Sequence, residues 1–252
     1  ERAGFDEVVV VSPPAVEVQG LAVERGGADV LRGVSFTIAQ GQRVGLIGPN
    51  GAGKTTLFLS LLGLHPRAAG TVRVCGLDPA RKDEAQRIRC AAGLVFQNAD
   101  DQLFCGTVTD DVSFGPLQLG LDSGEVGARV RAALAAVNAE HLRDQLAHAL
   151  SAGEKRRAAL ATALAMQPRI LLLDEPTGEL DPRARRGLIE LLNSRSETLL
   201  VATHDLEFVL ATCTRVVVLS GGGVAADGPA RDVMARAELM DRAGLEVPYS
   251  LR

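Results

Sequence analysis

One stretch of this 252-residue chain constrains its fold more than any other: Gly48, Pro49, Asn50, Gly51, Ala52, Gly53, Lys54 and Thr55 in succession. The spelling is Gly-x-x-x-x-Gly-Lys-[Ser/Thr], preceded by the strand-like residues 43–48 and followed by helical spacing up to Gly63. Strand, glycine loop and helix in direct succession can aim several backbone N–H groups at a single anion. Gly48, Gly51 and Gly53 are expected to let the backbone curl, and the helix N-terminus beyond them adds favourable dipole charge. In this arrangement Lys54 reaches the β- and γ-phosphates of a nucleotide, the Thr55 hydroxyl ligates Mg²⁺, and Thr56 extends the cradle.

The rest of the chain is punctuated in a way that suits such a loop. Residues 16–23 and 34–39 read as strands separated by glycines, and residues 71–75 and 93–97 as strands around a charged helix at 79–90. Residues 107–150 read as helical, with Val126, Val130, Leu134 and Val137 at core spacing. Two continuous apolar runs, 170–173 and 199–202, each follow a helix and read as parallel strands covered on both faces. A hairpin at 215–227 and a final helix at 229–243 complete the pattern, which predicts an α/β fold with its ligand at the carboxyl ends of the strands.

The first of those runs ends in two carboxylates, Asp174 and Glu175. At the strand exit Asp174 is placed to hold Mg²⁺, directly or through water, and Glu175 stands where a base polarises an attacking water. An apolar strand with an acidic solvent cap would look the same by itself. The phosphate loop upstream is what favours the catalytic reading.

Composition narrows the remaining classes. A hydrophobic content of 46% is enough for a sizeable core, and the net charge of −4 gives no electrostatic reason to expect nucleic acid as a partner. Cys75, Cys90, Cys105 and Cys213 form no Cys-x-x-Cys pair and read as small, mostly buried thiols in a reducing compartment. No apolar run approaches the roughly 20 residues that cross a bilayer, so the chain reads as soluble inside the cell. Residues 1–14, ending in Pro13 and Pro14, read as a flexible leader.

Leu150, Ser151, Ala152, Gly153 and Glu154, followed by Lys155, Arg156 and Arg157, resemble the signature sequence of ABC ATPases. Ser151 also reads as a helix N-cap with Glu154 completing a capping box, and a capped helix end is an anion site as well. Gln97 resembles the Q-loop glutamine, Asp181 in Glu179-Leu-Asp-Pro the D-loop aspartate, and His204 in Ala202-Thr-His-Asp the switch histidine. The resemblance covers about residues 16–244. It implies an ABC ATPase nucleotide-binding domain over residues 15–244: a P-loop, RecA-like core with a parallel sheet, an N-terminal antiparallel β-subdomain and a helical subdomain at about 98–165, then a short tail at 245–252. It further implies ATP and Mg²⁺ as ligands and ATP hydrolysis with Glu175 as base. Gln97 would contact Mg²⁺ and the attacking water, and His204 the γ-phosphate. A second ATPase subunit, most simply another copy, would meet this one head to tail, with Ser151, Gly153 and Asp181 serving the partner's nucleotide.

Val95-Phe-Gln-Asn-Ala-Asp-Asp-Gln-Leu-Phe104, then Thr107, then Asp111-Val-Ser-Phe-Gly-Pro116, resembles the ATPase subunits of energy-coupling-factor importers. This implies an integral membrane coupling subunit, a substrate-binding membrane subunit and a peripheral place on the cytoplasmic face of the inner membrane. A groove near residues 101–114 would receive a coupling helix, with Leu103, Phe104, Val108 and Phe114 as its apolar members. The resemblance ranks cobalt first and nickel second as the transported ion, with a vitamin such as biotin, or another ABC transporter altogether, as alternatives. Three departures stand out. Arg25 occupies the place where the family carries an aromatic residue against adenine, so a guanidinium plane would have to hold the base. Ala152 replaces a common glycine in the signature, and Glu179 another in the D-loop.

Overall fold

The computed structural model describes residues 13–252, so the expected leader up to residue 12 lies outside the described residues. Chain order runs β1 (Val16–Arg25), β2 (Ala28–Ile38), β3 (Arg43–Ile47), α1 (Lys54–Leu61), β4 (Ala69–Val74), α2 (Lys82–Ala91), β5 (Ala92–Val95), α3 (Val108–Gln118) and α4 (Ser123–Ala136). It continues with α5 (Ala152–Ala165), β6 (Ile170–Asp174), α6 (Pro182–Asn193), β7 (Thr198–Thr203), α7 (Leu206–Thr212), β8 (Arg215–Ser220), β9 (Gly223–Pro229), α8 (Ala230–Met234) and α9 (Ala237–Arg242).

Two sheets result. The alternating pattern of the N-terminal segment folds into an antiparallel sheet in the order β2-β1-β4, burying Val16, Val18, Leu21 and Val23 of β1. The continuous apolar runs form the second sheet, in the order β5-β6-β7-β3-β8-β9, parallel except for the β8–β9 hairpin. Successive side chains of a strand point to opposite faces, and here the two faces build two cores. Ile170, Leu172, Leu200, Val217 and Leu219 pack toward the antiparallel sheet and α1. Leu171, Leu173, Leu199, Val201, Val216 and Val218 join the core that the later helices cover. That double coverage is why these runs lack the apolar–polar alternation of β1.

Several expectations are corrected by the structure. The helical reading of 107–150 resolves into α3, α4 and two 3₁₀ turns, because Gly120 at φ 74° ends the first stretch and the Asp122 carboxylate caps the second. The final helix at 229–243 is two short helices, α8 and α9. Only Cys213 is fully buried, its thiol pushed up to about 11 by burial; the other three cysteines are half-buried, and all four are free. Of the four proposed groove residues, Leu103 and Val108 belong to the core, while Phe104 is 66% and Phe114 44% exposed. Near the C-terminus Leu245, Val247 and Leu251 pack on the core, and Ser250 donates to the Glu207 carboxylate through Oγ at 2.8 Å.

Between α1 and α2 the chain is fastened by a bidentate pair, Arg67 Nη1 to Asp78 Oδ1 at 2.8 Å and Nη2 to Oδ2 at 3.1 Å. The Arg67 guanidinium holds the Asp78 carboxyl at about 2, below its ordinary 3.8. A depressed folded-state value stabilises the protein above the unfolded value and loses that contribution as pH falls from about 4 toward about 2. Acid unfolding followed by circular dichroism should therefore steepen in that window, and Arg67→Met should flatten it.

The order β6-β7-β3 places the carboxyl ends of three parallel strands side by side. The glycine loop leaves β3, Asp174 and Glu175 end β6, and His204 follows β7, so three separate sequence segments meet on one edge.

Candidate active site

A cleft of about 470 Å³ opens at that edge, lined by Arg25, Val30, residues 50–56, Gln97, Asp174 and Glu175. Its floor is the N-terminus of α1, and that helix end differs from most others in the chain. Side chains of Thr107, Asp122, Ser151, Asp181 and Asp205 cap α3, α4, α5, α6 and α7. The N-cap of α1 is Gly53, which has no side chain to offer, and the first turn carries no acidic residue. The N–H groups of that turn are thus left to an anion that the protein does not itself supply.

Glycine serves two separate purposes in this loop. Gly51 has φ 81°, in the region that favours residues without a Cβ. Gly48 does not; there an added Cβ would stand 2.3 Å from the Leu219 carbonyl oxygen of β8, so this glycine permits close approach rather than curl. Pro49 and Ala52 close the turn through Ala52 N–H to the Pro49 carbonyl at 3.2 Å.

Lys54 is 7% exposed, and its ammonium donates to the Gly48 carbonyl at 2.8 Å and the Pro49 carbonyl at 3.3 Å. It lies 3.7 Å from Glu175 Oε1. The Thr55 hydroxyl donates to Asp174 Oδ2 at 2.6 Å. Burial pushes the Asp174 carboxyl up, Thr55 opposes the rise, and the neighbouring Glu175 reinforces it. Glu175 is 8% exposed and sits at φ 45°, a strained conformation for a side chain of its size. Its Oε2 takes the Thr203 hydroxyl at 2.8 Å and the His204 N–H at 3.3 Å, and lies 3.0 Å from His204 Nδ1. One carboxylate oxygen is thereby held, and the other faces Lys54 and the cleft.

The donor set fits a small hard cation: the Thr55 hydroxyl and the Asp174 carboxylate adjoin, with Gln97 lining the same cleft. Oxygen ligands in small number, leaving room for phosphate and water, are what Mg²⁺ takes. Gln97 stands two residues beyond the end of β5, in a loop rather than on the strand as the sequence suggested. Its carbonyl accepts from Arg156 Nη2 at 2.6 Å, and Nη1 of the same guanidinium donates to the Phe96 carbonyl at 2.7 Å. Arg156 is 7% exposed, and burial lowers its pKa against the pull of Glu179, Asp174 and Glu175.

Arg156 and Thr203 are absent from the sequence-derived set. The available signal for Arg156 was its helical spacing to the buried Ala159 and Ala163; for Thr203 there was none, since its hydroxyl meets Glu175 only after β6 and β7 pair. Conversely, Gly48, Pro49, Ser151, Gly153, Asp181 and His204 do not line the 470 Å³ cleft, His204 meeting it only through Glu175. Ser151 is exposed and forms the expected capping box, its Oγ donating to Glu154 Oε2 at 2.6 Å, which holds the Glu154 carboxyl below its usual range. Asp181 caps α6, its carboxyl lowered by the Ala184 and Arg183 N–H groups. Glu179 adopts φ 63°, a conformation that costs a side chain about 1–2 kcal/mol and that glycine adopts freely. A wider cleft of about 690 Å³ between α4, α5 and α6 contains no residue of the phosphate loop.

Comparison with known proteins agrees with this geometry. The ABC transporter family matches residues 31–178. A Synechocystis protein, named by family as an ABC transporter ATP-binding protein, is 47% identical over 95% of this chain and 84% of its own length. The energy-coupling factor transporter ATP-binding protein EcfA of Methanothermobacter thermautotrophicus is 45% identical over 88% of this chain and 73% of its own. The solved structure of CbiO1 from Clostridium perfringens, part of the ABC transporter complex CbiONQ, superposes with a TM-score of 0.80 at 34% identity, covering 91% of this chain and 94% of that one. With its phosphate loop, paired carboxylates and two-sheet core, the chain belongs to the ABC transporter family as an ATP-hydrolysing subunit.

Proposed function

We propose that this protein is the motor of an energy-coupling-factor importer, with a cobalt or nickel ion as the transported solute. The observation that carries the reading is the split of the candidate groups: one cleft gathers Lys54, Thr55, Asp174, Glu175 and Gln97, while Ser151, Gly153 and Asp181 lie on surfaces outside it. A head-to-tail pair of chains brings each set to the other.

In the proposed cycle, the phosphate loop from Gly48 to Thr56 and Lys54 bind the triphosphate, and Arg25, which lines the cleft beside Val30, lays its guanidinium on the base. Thr55, Asp174 and Gln97 hold Mg²⁺, which neutralises phosphate charge when bound. Glu175 Oε1 takes the proton of the attacking water, and His204 contacts the γ-phosphate from the far side of Glu175. Ser151 and the Gly153 backbone of the partner subunit close over the phosphates, and Asp181 lies at the seam. ATP favours the closed pair, and hydrolysis releases it, so the work done on the membrane subunits comes from differential binding to two states.

The reading also gives a role to an exposed apolar pair. Phe104 and Phe114 meet edge to face with centroids 5.1 Å apart, and Leu117, one turn along α3, is 54% exposed. Under this proposal they receive the coupling helix of an integral membrane subunit, beside which a substrate-binding membrane subunit sits, and the protein works at the cytoplasmic face of the inner membrane.

Size-exclusion chromatography with light scattering on Glu175→Gln, with and without MgATP, tests the arrangement. A dimer formed only with MgATP supports the sandwich and a dedicated transporter built on two copies. A monomer under both conditions sinks the homodimer and points to a second, different ATPase chain.

A further inference from the structure

Behind Glu175 lies a chain of contacts that reaches the helix beginning at Asp181. Thr203, fully buried at the end of β7, donates its single hydroxyl proton to Glu175 Oε2 at 2.8 Å. A carboxylate oxygen can only accept, so the hydroxyl proton points at Glu175, while the hydroxyl oxygen itself accepts the Asp205 N–H at 3.0 Å. The Asp205 carboxylate is gripped in turn. Arg185 Nε meets Oδ2 at 2.9 Å, Arg185 Nη2 meets Oδ1 at 3.0 Å, and the Phe208 N–H donates to Oδ1 at 2.9 Å. Arg185 stands in the first turn of α6, and its guanidinium lies over the Phe208 ring, 5.9 Å from the centroid. Burial is the strongest single influence and acts to raise the Asp205 carboxyl, but the Arg185 fork and charge together with the Phe208 N–H outweigh it, leaving the group below its ordinary range. The carboxylate is therefore charged, and the fork is a full ion pair.

We propose that Arg185, Asp205 and Thr203 are positioning residues for Glu175: the fork fixes the Asp205 backbone, this orients the Thr203 hydroxyl, and the hydroxyl pins Oε2 so that Oε1 alone meets the attacking water. The inference rests on the reading of Glu175 as the base. A residue at φ 45° needs such fixing, because the strain in its backbone favours relaxation away from the productive geometry. The same contacts tie the base to α6. A partner pressing on Asp181, the N-cap of that helix, thereby acts on the geometry of Glu175 through a rigid element rather than across solvent.

The test is steady-state and single-turnover ATPase kinetics on the full chain, with MgATP affinity read by binding of trinitrophenyl-ATP and folding read by melting temperature. Arg185→Met should lower kcat by roughly tenfold to a hundredfold while KM and nucleotide affinity stay within about twofold. Asp205→Asn should behave alike, and the double variant should lose no more than the worse single. Arg185→Lys keeps the charge and the contact with Phe208 but not the fork, so it should melt like the native protein and still lose turnover; it decides the matter if Arg185→Met does not fold. In a Glu175→Gln background Arg185→Met should slow single-turnover hydrolysis no further. The proposal is overturned if kcat is unchanged in both Arg185 variants, if KM rises instead, or if the loss recurs in full without the Glu175 carboxylate. Native turnover by Glu175→Gln itself would remove the base, a separate result that leaves the contacts nothing to position.

Discussion

Glu175→Gln is expected to lower ATP turnover by about 10²–10⁴-fold, the range that removal of a positioned base produces. At 1.36 kcal/mol per tenfold this is ~3–5 kcal/mol of transition-state stabilisation. Nucleotide binding should survive, because the phosphate loop, Lys54 and Thr55 are untouched, and removal of a buried negative charge 3.7 Å from Lys54 leaves that ammonium freer for phosphate. Glutamine keeps the shape and can still accept from Thr203, so the strained turn at residue 175 has no new reason to collapse. Phosphate release measured under saturating MgATP, beside trinitrophenyl-ATP binding, gives the answer. Turnover above one tenth of the native rate would assign the base elsewhere.

Gly48→Ala should be a damaging one-carbon change in the phosphate loop, because the added carbon meets fixed backbone. The new Cβ would lie 2.3 Å from the Leu219 carbonyl oxygen and 3.2 Å from the Ala52 Cβ. A backbone oxygen in the β8–β9 ladder cannot swing aside as a side chain can, so the loop itself must lift. Overpacking of this kind costs ~1–3 kcal/mol of stability. The greater loss is functional, since the Gly48 carbonyl that positions Lys54 moves with the loop. Trinitrophenyl-ATP affinity should fall about a hundredfold, on the scale that a misplacement of ~1 Å produces. Gly51→Ala is the control: its Cβ would meet nothing within 4 Å and bears only the strain of φ 81°. Equal losses in the two variants would show that conformational freedom, and not the Leu219 contact, is what Gly48 provides.

The contrast between those two glycines marks how far the sequence could be read. Both fit the motif, and the motif treats them alike; their different reasons depend on β8, which arrives some 170 residues later in the chain. Local order was legible wherever one physical signal dominated. The apolar runs at 170–173 and 199–202 read as buried strands and form β6 and β7, and the spacing of Val126, Val130 and Leu134 reads as a helix face and forms that of α4. Where glycine and capping residues compete with helix-forming composition, as in 107–150, composition hides the breaks at Gly120 and Asp122.

Candidate residues were legible because each motif is contiguous: Lys54 and Thr55 on one loop, Asp174 and Glu175 at one strand end, Ser151 and Glu154 in one capping box. That spacing alone marked the candidates for phosphate, cation and proton, since backbone curl, helix dipole and strand exit are local effects. Only the tertiary structure decided which of them share a cleft. The pairing of β6 with β7 put Thr203 and His204 on Glu175, the packing of α5 under β5 buried Arg156 against the Gln97 loop, and the first turn of α6 gave Arg185 to Asp205. Those contacts join residues distant in sequence through hydrogen bonds that exist only once the sheet has set their register, and no local pattern encodes a partner that far away.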